Sequence, residues 1–205
     1  MTKFNITNTP NRGIFTLKQC IHSPIAISNE INNFPGSDVS DYDRDLTKNK
    51  IISNLHKLFK YCVNPIYSEF GKIGLSSVYR NKELNQLLKG VEYSQHIYGY
   101  AADIVSTDPN IHTSEIWNWC KLNLPRYHQL IWEYPERGTF ANEPQNNNNS
   151  FSWIHISFIE GNNFKENSVS SLNPKIHKFY EDENTYTIGN FTHGITEANQ
   201  DLIEI

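Results

Sequence analysis

Apolar residues recur at three- and four-residue spacing between Asp45 and Phe70, which is the pattern of one face of an amphipathic helix. Pro65 lies within this pattern, and we expect the helix to kink or restart there because proline has no backbone N–H. A second helical pattern, KELNQLLK, follows Asn81 as a candidate N-cap and is predicted to close at Gly90.

Shorter runs of alternating or continuous apolar residues predict strands. The run IGLSSVYR is predicted to end at Arg80, and GYAADIVS, YHQLIWE and SWIHISF predict three further strands. Between them, TSEIWNWCKLN predicts a helix with Ile116, Trp119 and Cys120 directed inward. Helices first and strands later indicate an α+β fold, in which N-terminal helices pack on a small antiparallel sheet.

The chain is long enough for one domain with a sizeable core, since it has 205 residues of which 38% are hydrophobic. The segment YPERGTFANEPQNNNNS is rich in Pro, Gly and Asn and predicts a long loop between the last two strands. Beyond Gly161 the sequence becomes polar. We therefore expect one domain at residues 1–161 and a polar C-terminal appendage or arm at residues 162–205.

Charge and cysteine content exclude several classes of protein. The 18 basic and 22 acidic residues give a net charge of -4 without a polybasic patch, so we expect no nucleic-acid partner. Cys20, Cys62 and Cys120 are far apart and odd in number, which favours buried free thiols over a disulfide framework. The sequence has no apolar run long enough for a signal peptide or a membrane-spanning helix, so we expect no membrane partner.

One short stretch, YSQHIYGYAADIVS, contains a candidate site. Strand alternation places Ala102 and Ile104 on one face and Asp103 on the other, where an unpaired buried carboxylate would cost several kcal/mol. His96 precedes this strand, and Gly99 permits a tight turn that would bring the imidazole back toward Asp103.

A second histidine, His155, lies on the predicted strand SWIHISF on the same face as Trp153. Two histidines and one aspartate from separate segments form a set of three ligands for tetrahedral zinc, with a fourth position left for water as in catalytic sites. Taken singly, each residue also fits a partly buried histidine or a chance His/Asp pair.

Four motifs in order, SSVYR, SQHIYGYAADI, QLIWE and WIHIS, carry a family resemblance. From about Phe15 to Phe158 the chain resembles the zinc D-Ala-D-Ala carboxypeptidases and L-alanyl-D-glutamate endopeptidases, which cut peptidoglycan stem peptides. The resemblance implies the α+β fold shared with Hedgehog signalling domains. The family pattern SxHxxGxAxD followed by WxH implies that His96, Asp103 and His155 are the zinc ligands.

The same resemblance implies two catalytic residues. Arg80 stands where the family has an arginine that binds the substrate carbonyl as charge develops, although an arginine at a strand end can also be a surface residue. Many members have their general base three residues before the last histidine, where this chain has Ser152. We therefore expect Glu133, at the end of QLIWE, to be the base, as in a subgroup with WxHxS; an exposed strand-end carboxylate is the alternative.

The implied protein is a zinc metallopeptidase that hydrolyses peptidoglycan stem peptides as a D,D-carboxypeptidase or an L-Ala-D-Glu endopeptidase. Ser94, Tyr79, Tyr98 and Trp153 are expected to shape the substrate cleft. The alternative is a non-catalytic phage structural or cell-wall-binding protein on the same fold, which the serine at position 152 and the C-terminal arm both suit. A cysteine hydrolase is disfavoured because no cysteine lies in the motifs.

The resemblance and the lack of a signal peptide together indicate a bacteriophage product. We expect synthesis in the host cytoplasm, followed by incorporation into the virion or release at lysis in the manner of an endolysin. The arm at residues 162–205 is a candidate contact for virion proteins. A bacterial cytoplasmic enzyme that acts on wall fragments is the other possibility.

Overall fold

Helices precede most of the strands in the part of the chain that a computed structural model describes, residues 15–134, 152–163, 165–170, 179–180 and 186–187. The helices are α1 (Leu17–Ile21), α2 (Pro24–Ser28), α3 (Asp41–Leu58), α4 (Asn64–Phe70), α5 (Lys82–Leu87) and α6 (Thr113–Asn123). The strands are β1 (Ile73–Ser77), β2 (Ala101–Ser106), β3 (Gln129–Glu133), β4 (Trp153–Ser157), β5 (Glu166–Ser170), β6 (Phe179–Tyr180) and β7 (Tyr186–Thr187). The order confirms the predicted α+β class.

The long helical pattern is interrupted next to Pro65, as the sequence predicts. Helix α3 ends at Leu58, a π-helical turn spans Phe59–Val63, and α4 begins at Asn64 with Pro65 in its first turn. Proline cannot donate a helical hydrogen bond, and a π-helical turn is one way in which a helix accommodates such a break. The predicted apolar face stays buried through the interruption; it includes Ile51, Leu55, Leu58, Phe59, Cys62, Val63 and Ile66.

Five strands form the main sheet in the order β1-β2-β4-β3-β5. The first four pair antiparallel, whereas β5 pairs parallel with β3. Strand β5 lies beyond the predicted boundary at residue 161, so the sheet itself continues past that boundary. Most of residues 171–205 lies outside the described part of the chain, and the predicted arm stays a prediction.

The two faces of the sheet have different roles. Alternate residues of β2 and β4, among them Ala102, Ile104, Ile154 and Ile156, join the hydrophobic core together with residues of α3, α4 and α6. The intervening residues, including Asp103 and His155, point to the opposite face. This division confirms the predicted alternation in YAADIV and places Asp103 and His155 on the sheet face opposite the core.

Three local details differ from the sequence-based expectations. Strand β1 ends at Ser77, so Arg80 follows the strand instead of ending it. Helix α6 buries Trp117 more completely than Trp119, which packs at the margin of the core. Helix α5 closes through the left-handed Lys89, at φ 54°, before the predicted Gly90 is reached.

The cysteine prediction is confirmed, because Cys20, Cys62 and Cys120 are all free and buried. Burial raises the pKa of the Cys20 thiol to about 12, which keeps it protonated and unreactive near neutral pH. Among the described residues, no helix has both the length and the apolar character needed to cross a bilayer.

Candidate metal centre

A short turn places His96 beside the polar face of the sheet. Residues Gln95–Tyr98 form a single 3-10 turn that ends at Gly99, which has a left-handed φ of 71°. A Cβ atom at Gly99 would lie 2.8 Å from the carbonyl oxygen of Ile51 in α3. Glycine is therefore required both by its backbone conformation and by the close approach of α3. The turn fixes the position of His96 immediately before β2.

Asp103 and His155 come together through strand register. They are direct partners in the antiparallel pairing of β2 with β4, and the Nδ1 atom of His155 lies 3.0 Å from Oδ1 of Asp103. The Nε2 atom of His96 lies 3.3 Å from the same oxygen. Within the described residues these three side chains form a group whose ligand atoms lie within 4.8 Å of one another. The structure thus brings together all three predicted ligands.

The orientation and protonation of His96 suit a metal ligand. Its Nδ1 atom lies 2.6 Å from the carbonyl oxygen of Val78, which can only accept, so Nδ1 carries the proton. Burial, followed by the nearby positive charge of Arg80, lowers the pKa of His96 to about 4. The imidazole is therefore neutral at pH 7, with its Nε2 lone pair directed at Asp103. Such second-shell bonds commonly fix the tautomer of a metal-binding histidine.

The charge of Asp103 completes the donor set. Burial acts to raise the pKa of this carboxyl, but His96, His155 and Arg80 together hold it well below its usual range. An ionised carboxylate oxygen and a histidine lone pair, both acceptors, thus face each other at 3.3 Å. Two acceptors in this position repel each other unless a cation lies between them. The residues present therefore fit a zinc ion, for which imidazole nitrogen and carboxylate oxygen are ordinary ligands.

Comparison with known proteins agrees with this interpretation of the site. Residues 37–128 match the family model described as Peptidase M15. This match places residues 37–128 in the M15 peptidase family. M15 peptidases depend on zinc, and the His96, Asp103 and His155 group provides a site that can hold it. No curated protein matches the chain.

Arg80 lies next to the three predicted metal ligands. Its Nη2 atom donates to Oδ2 of Asp103 at 2.9 Å, and its Nε atom donates to the hydroxyl of Ser77 at 2.8 Å. The Arg80 side chain is 17% exposed. A guanidinium has five N–H groups, so three remain for other acceptors after these two bonds.

Glu133 occupies the same sheet face as the metal ligands. Strands β3 and β4 pair antiparallel, with Glu133 opposite Trp153 and Ile131 opposite His155. The side chain of Glu133 is buried, and the residue is 4% exposed. Glu133 is a diagonal neighbour of His155, and such neighbours lie about 7–8 Å apart, within reach of a long side chain. The predicted pairing of QLIWE with SWIHIS is thus present.

Ser152 points away from the metal ligands. It is fully buried, and its hydroxyl donates to that of Thr113, the first residue of α6, at 3.0 Å. Alternation along β4 agrees, since Ser152 and His155 differ by an odd number of positions.

The four residues expected to shape the cleft lie in different surroundings. Trp153 is partly exposed on the ligand face, where its ring centroid lies 5.0 Å from that of Tyr134. Tyr98 is partly exposed at the end of the 3-10 turn, and Ser94 is buried at its start. The structure does not bring Tyr79 to the surface of the site, because it is 2% exposed and belongs to the hydrophobic core.

Sequence reasoning missed three polar residues near the site. Ser77 binds Arg80, and the side-chain amide of Gln95 lies 3.2 Å from Nδ1 of His128. Burial and then the proximity of His155 lower the pKa of His128 to about 4, so this ring is neutral at pH 7. Ser77 lies within the SSVYR motif, which is a signal that could have found it. His128 precedes β3 without any local signal that sets it apart from other histidines.

Proposed function

We propose that this protein is a zinc peptidase that hydrolyses peptide bonds in peptidoglycan stem peptides, as a D,D-carboxypeptidase or as an L-Ala-D-Glu endopeptidase. The observation that carries the proposal is the buried His96, Asp103 and His155 group, whose ligand atoms lie within 4.8 Å of one another. The choice of substrate rests on the motif resemblance around these residues.

Glu133 is the proposed general base. When bound by the three ligands, zinc acts as a Lewis acid that makes water a stronger nucleophile at neutral pH. Glu133 would take a proton from the attacking water and then pass it to the leaving amine, a role that requires a carboxylate on the ligand face. Its place beside Trp153 and diagonal to His155 supports this assignment.

Arg80 is the proposed oxyanion partner. Two of its N–H groups are engaged by Ser77 and Asp103, and the partly exposed guanidinium retains others that can face a substrate. A positive group held in advance near a developing negative charge lowers the activation barrier without reorganisation during the reaction. Of the predicted cleft residues, Trp153 is the best placed to contact the peptide.

Mass spectrometry of digested peptidoglycan tests this function. Purified sacculi and defined stem peptides are incubated with the zinc-loaded protein, the chelated protein and the His155→Ala variant. We expect only the zinc-loaded wild type to release D-Ala or to expose a free D-Glu amino terminus, and the product identifies the bond. Absence of any product with zinc bound would favour the non-catalytic cell-wall-binding alternative.

We also propose that the protein is a bacteriophage product that acts in the virion or at lysis, a proposal supported by the resemblance of its motifs to those of peptidases that cut peptidoglycan stem peptides. Proteomic analysis of purified particles tests the virion role. Detection in stoichiometric amounts supports a structural location, whereas exclusion from particles with activity in the lysate supports lysis.

A further inference from the structure

The two oxygens of Asp103 have different partners. Oδ1 lies 3.0 Å from Nδ1 of His155 and 3.3 Å from Nε2 of His96, so it is the oxygen within the ligand group. Oδ2 accepts a hydrogen bond from Nη2 of Arg80 at 2.9 Å. All of these groups are at most partly exposed, with Asp103 itself 6% exposed. The carboxylate is therefore divided between a metal-facing oxygen and an arginine-facing oxygen.

Arg80 is itself held at two further points. Its backbone N–H donates to the carbonyl oxygen of His96 at 3.3 Å, and its Nε donates to the Ser77 hydroxyl at 2.8 Å. Ser77 is the register partner of Asp103 across β1 and β2, so the serine and the carboxylate both approach the guanidinium from the sheet. The arginine guanidinium is planar and its N–H groups have fixed directions, so it can donate to the serine hydroxyl and to the carboxylate at the same time.

A bulge in β1 gives the adjacent residues Ser76 and Ser77 different hydrogen-bond partners. The β1 and β2 register shifts between Leu75 and Ser77. Ser76 is left exposed, and its hydroxyl donates to the backbone carbonyl of Asp103 at 3.2 Å. Ser77, by contrast, accepts from the Arg80 side chain. Bulges of this kind redirect side chains near functional sites.

We propose that Ser77 and Arg80 are positioning residues that make Asp103 a one-oxygen ligand of the zinc. A carboxylate with both oxygens free can coordinate a metal through both and occupy an additional coordination position. The guanidinium engages Oδ2 and leaves only Oδ1 for the metal. The position that a catalytic zinc needs for water and substrate is thereby kept open.

This proposal depends on the zinc site and not on the reaction proposed above. Its readouts are zinc affinity, from competition with a chromophoric chelator, and the visible spectrum of the cobalt(II)-substituted protein. Neither readout uses a substrate. A protein that binds zinc as proposed but cuts no stem peptide would leave this inference standing, and the reverse result would leave the reaction standing.

The decisive variants are Arg80→Lys and Ser77→Ala. Lysine keeps the charge but cannot bridge Ser77 and Asp103, so zinc affinity should fall by about 10- to 100-fold, the range for lost outer-shell partners. Ser77→Ala should lower it less, by up to about 10-fold. In both variants Oδ2 of Asp103 becomes free to coordinate the metal, so the coordination number should rise. The visible absorption of the cobalt(II)-substituted protein should then become weaker. Ser77→Thr, which keeps the hydroxyl, should restore both properties.

Ser76→Ala is the matched control, since it alters the neighbouring serine of the same bulge without touching Arg80. It should retain wild-type zinc affinity and cobalt spectrum. Circular dichroism and thermal unfolding of the zinc-free variants show whether each has folded. The proposal is overturned if folded Ser77→Ala and Arg80→Lys bind both metals as the wild type does. It is equally overturned if Ser76→Ala changes the two readouts as much as Ser77→Ala.

Discussion

His96, Asp103 and His155 act as one unit, because each lies next to another through a nitrogen and a carboxylate oxygen 3.0–3.3 Å apart. Replacement of any one by alanine should abolish stoichiometric zinc binding, since three protein ligands are the usual number in catalytic zinc sites. Elemental analysis after dialysis measures the zinc content. His22→Ala is the control, because His22 is exposed and distant in sequence from the three residues. This variant should retain one zinc per chain. Full zinc in all three ligand variants would refute the site.

Glu133 separates an enzyme from a protein that only binds zinc. Glu133→Gln preserves the shape of the side chain but removes its capacity to take a proton. Hydrolysis should fall by about 10²- to 10⁴-fold, the contribution of a positioned general base, while zinc content and folding stay unchanged. Stem-peptide cleavage followed by mass spectrometry measures the effect.

Ser152→Ala is the control for Glu133, because the Ser152 hydroxyl bonds Thr113 on the opposite side of the sheet. Its activity should remain near that of the wild type. Full activity in Glu133→Gln would instead assign the base to another acidic residue. Glu136 and Glu143 are then the candidates, and both lie outside the described residues.

Two buried histidines should make the zinc-free protein sensitive to acid. Burial lowers the pKa values of His96 and His128 to about 4, whereas histidine in an unfolded chain titrates near 6.5. Between these values the unfolded chain binds more protons than the folded one, so stability present above pH 6.5 is lost as the pH falls toward 4. The slope is up to about 1.4 kcal/mol per pH unit for each histidine.

Urea unfolding in the presence of chelator at pH 7, 6 and 5 measures this loss. His128→Asn should reduce the slope between pH 6 and pH 5, because one of the two titrating groups is removed. A free energy of unfolding that stays constant over this range would contradict the assignment of both rings as neutral.

At the scale of elements, the turn between the 3-10 segment and β2 determines where His96 lies. Gly99→Ala should destabilise the protein through its left-handed backbone, by about 1–2 kcal/mol, and through a clash with the Ile51 carbonyl, by about 1–3 kcal/mol more. Zinc affinity should fall as well, since the same turn carries His96. Urea unfolding and metal titration measure the two effects.

Gly71→Ala is the control for the close approach of α3 to Gly99. Gly71 also has a positive φ, of 68°, but among the described residues nothing lies within 4 Å of the position that a Cβ atom would take there, so the cost is that of the backbone alone. Zinc affinity should be unchanged in that variant. Equal losses of zinc affinity at both glycines would show that the turn at Gly99 does not determine metal binding.

Elements with a strong apolar period were predictable from the sequence, and those without one were not. Helix α6 has the predicted bounds, and the break near Pro65 follows from a missing N–H. Strand β5 was not predicted because ENSVS shows little alternation of apolar and polar residues. It is extended because it pairs with β3, a tertiary contact that its own residues do not indicate. Tertiary contact likewise decided that Trp117, and not Trp119, is the more deeply buried.

The metal ligands were predictable for a different reason from their supporting residues. Strand alternation places Asp103 and His155 on a face, and the motif resemblance joins them to His96. Ser77 and His128 depend on a β-bulge and on a contact between distant segments, respectively. Neither feature leaves a periodic trace in the sequence. The SSVYR motif marks Ser77, but only the three-dimensional structure shows its bond to Arg80 and the position of His128.

At the scale of the whole molecule, the core and the site lie on opposite faces of one sheet. The core joins residues of α3, α4 and α6 to alternate residues of β2, β3 and β4, among which Ile104, Leu130 and Ile156 are fully buried. None of the three predicted zinc ligands belongs to this apolar cluster. The fold therefore has a source of stability that is separate from the metal.

This separation predicts that zinc removal abolishes activity but leaves the protein folded. A ligand that binds only the folded state at 100 times its Kd adds about 2.7 kcal/mol, and in a chain of this size each kcal/mol shifts Tm by about 2–4 °C. Chelation should thus lower Tm by about 5–10 °C with little change in the far-ultraviolet circular dichroism at 25 °C. Added zinc should restore both Tm and hydrolysis. Chelators unfold proteins whose fold depends on zinc. If chelation unfolds this protein at 25 °C, the metal is structural and the role proposed for the site is wrong.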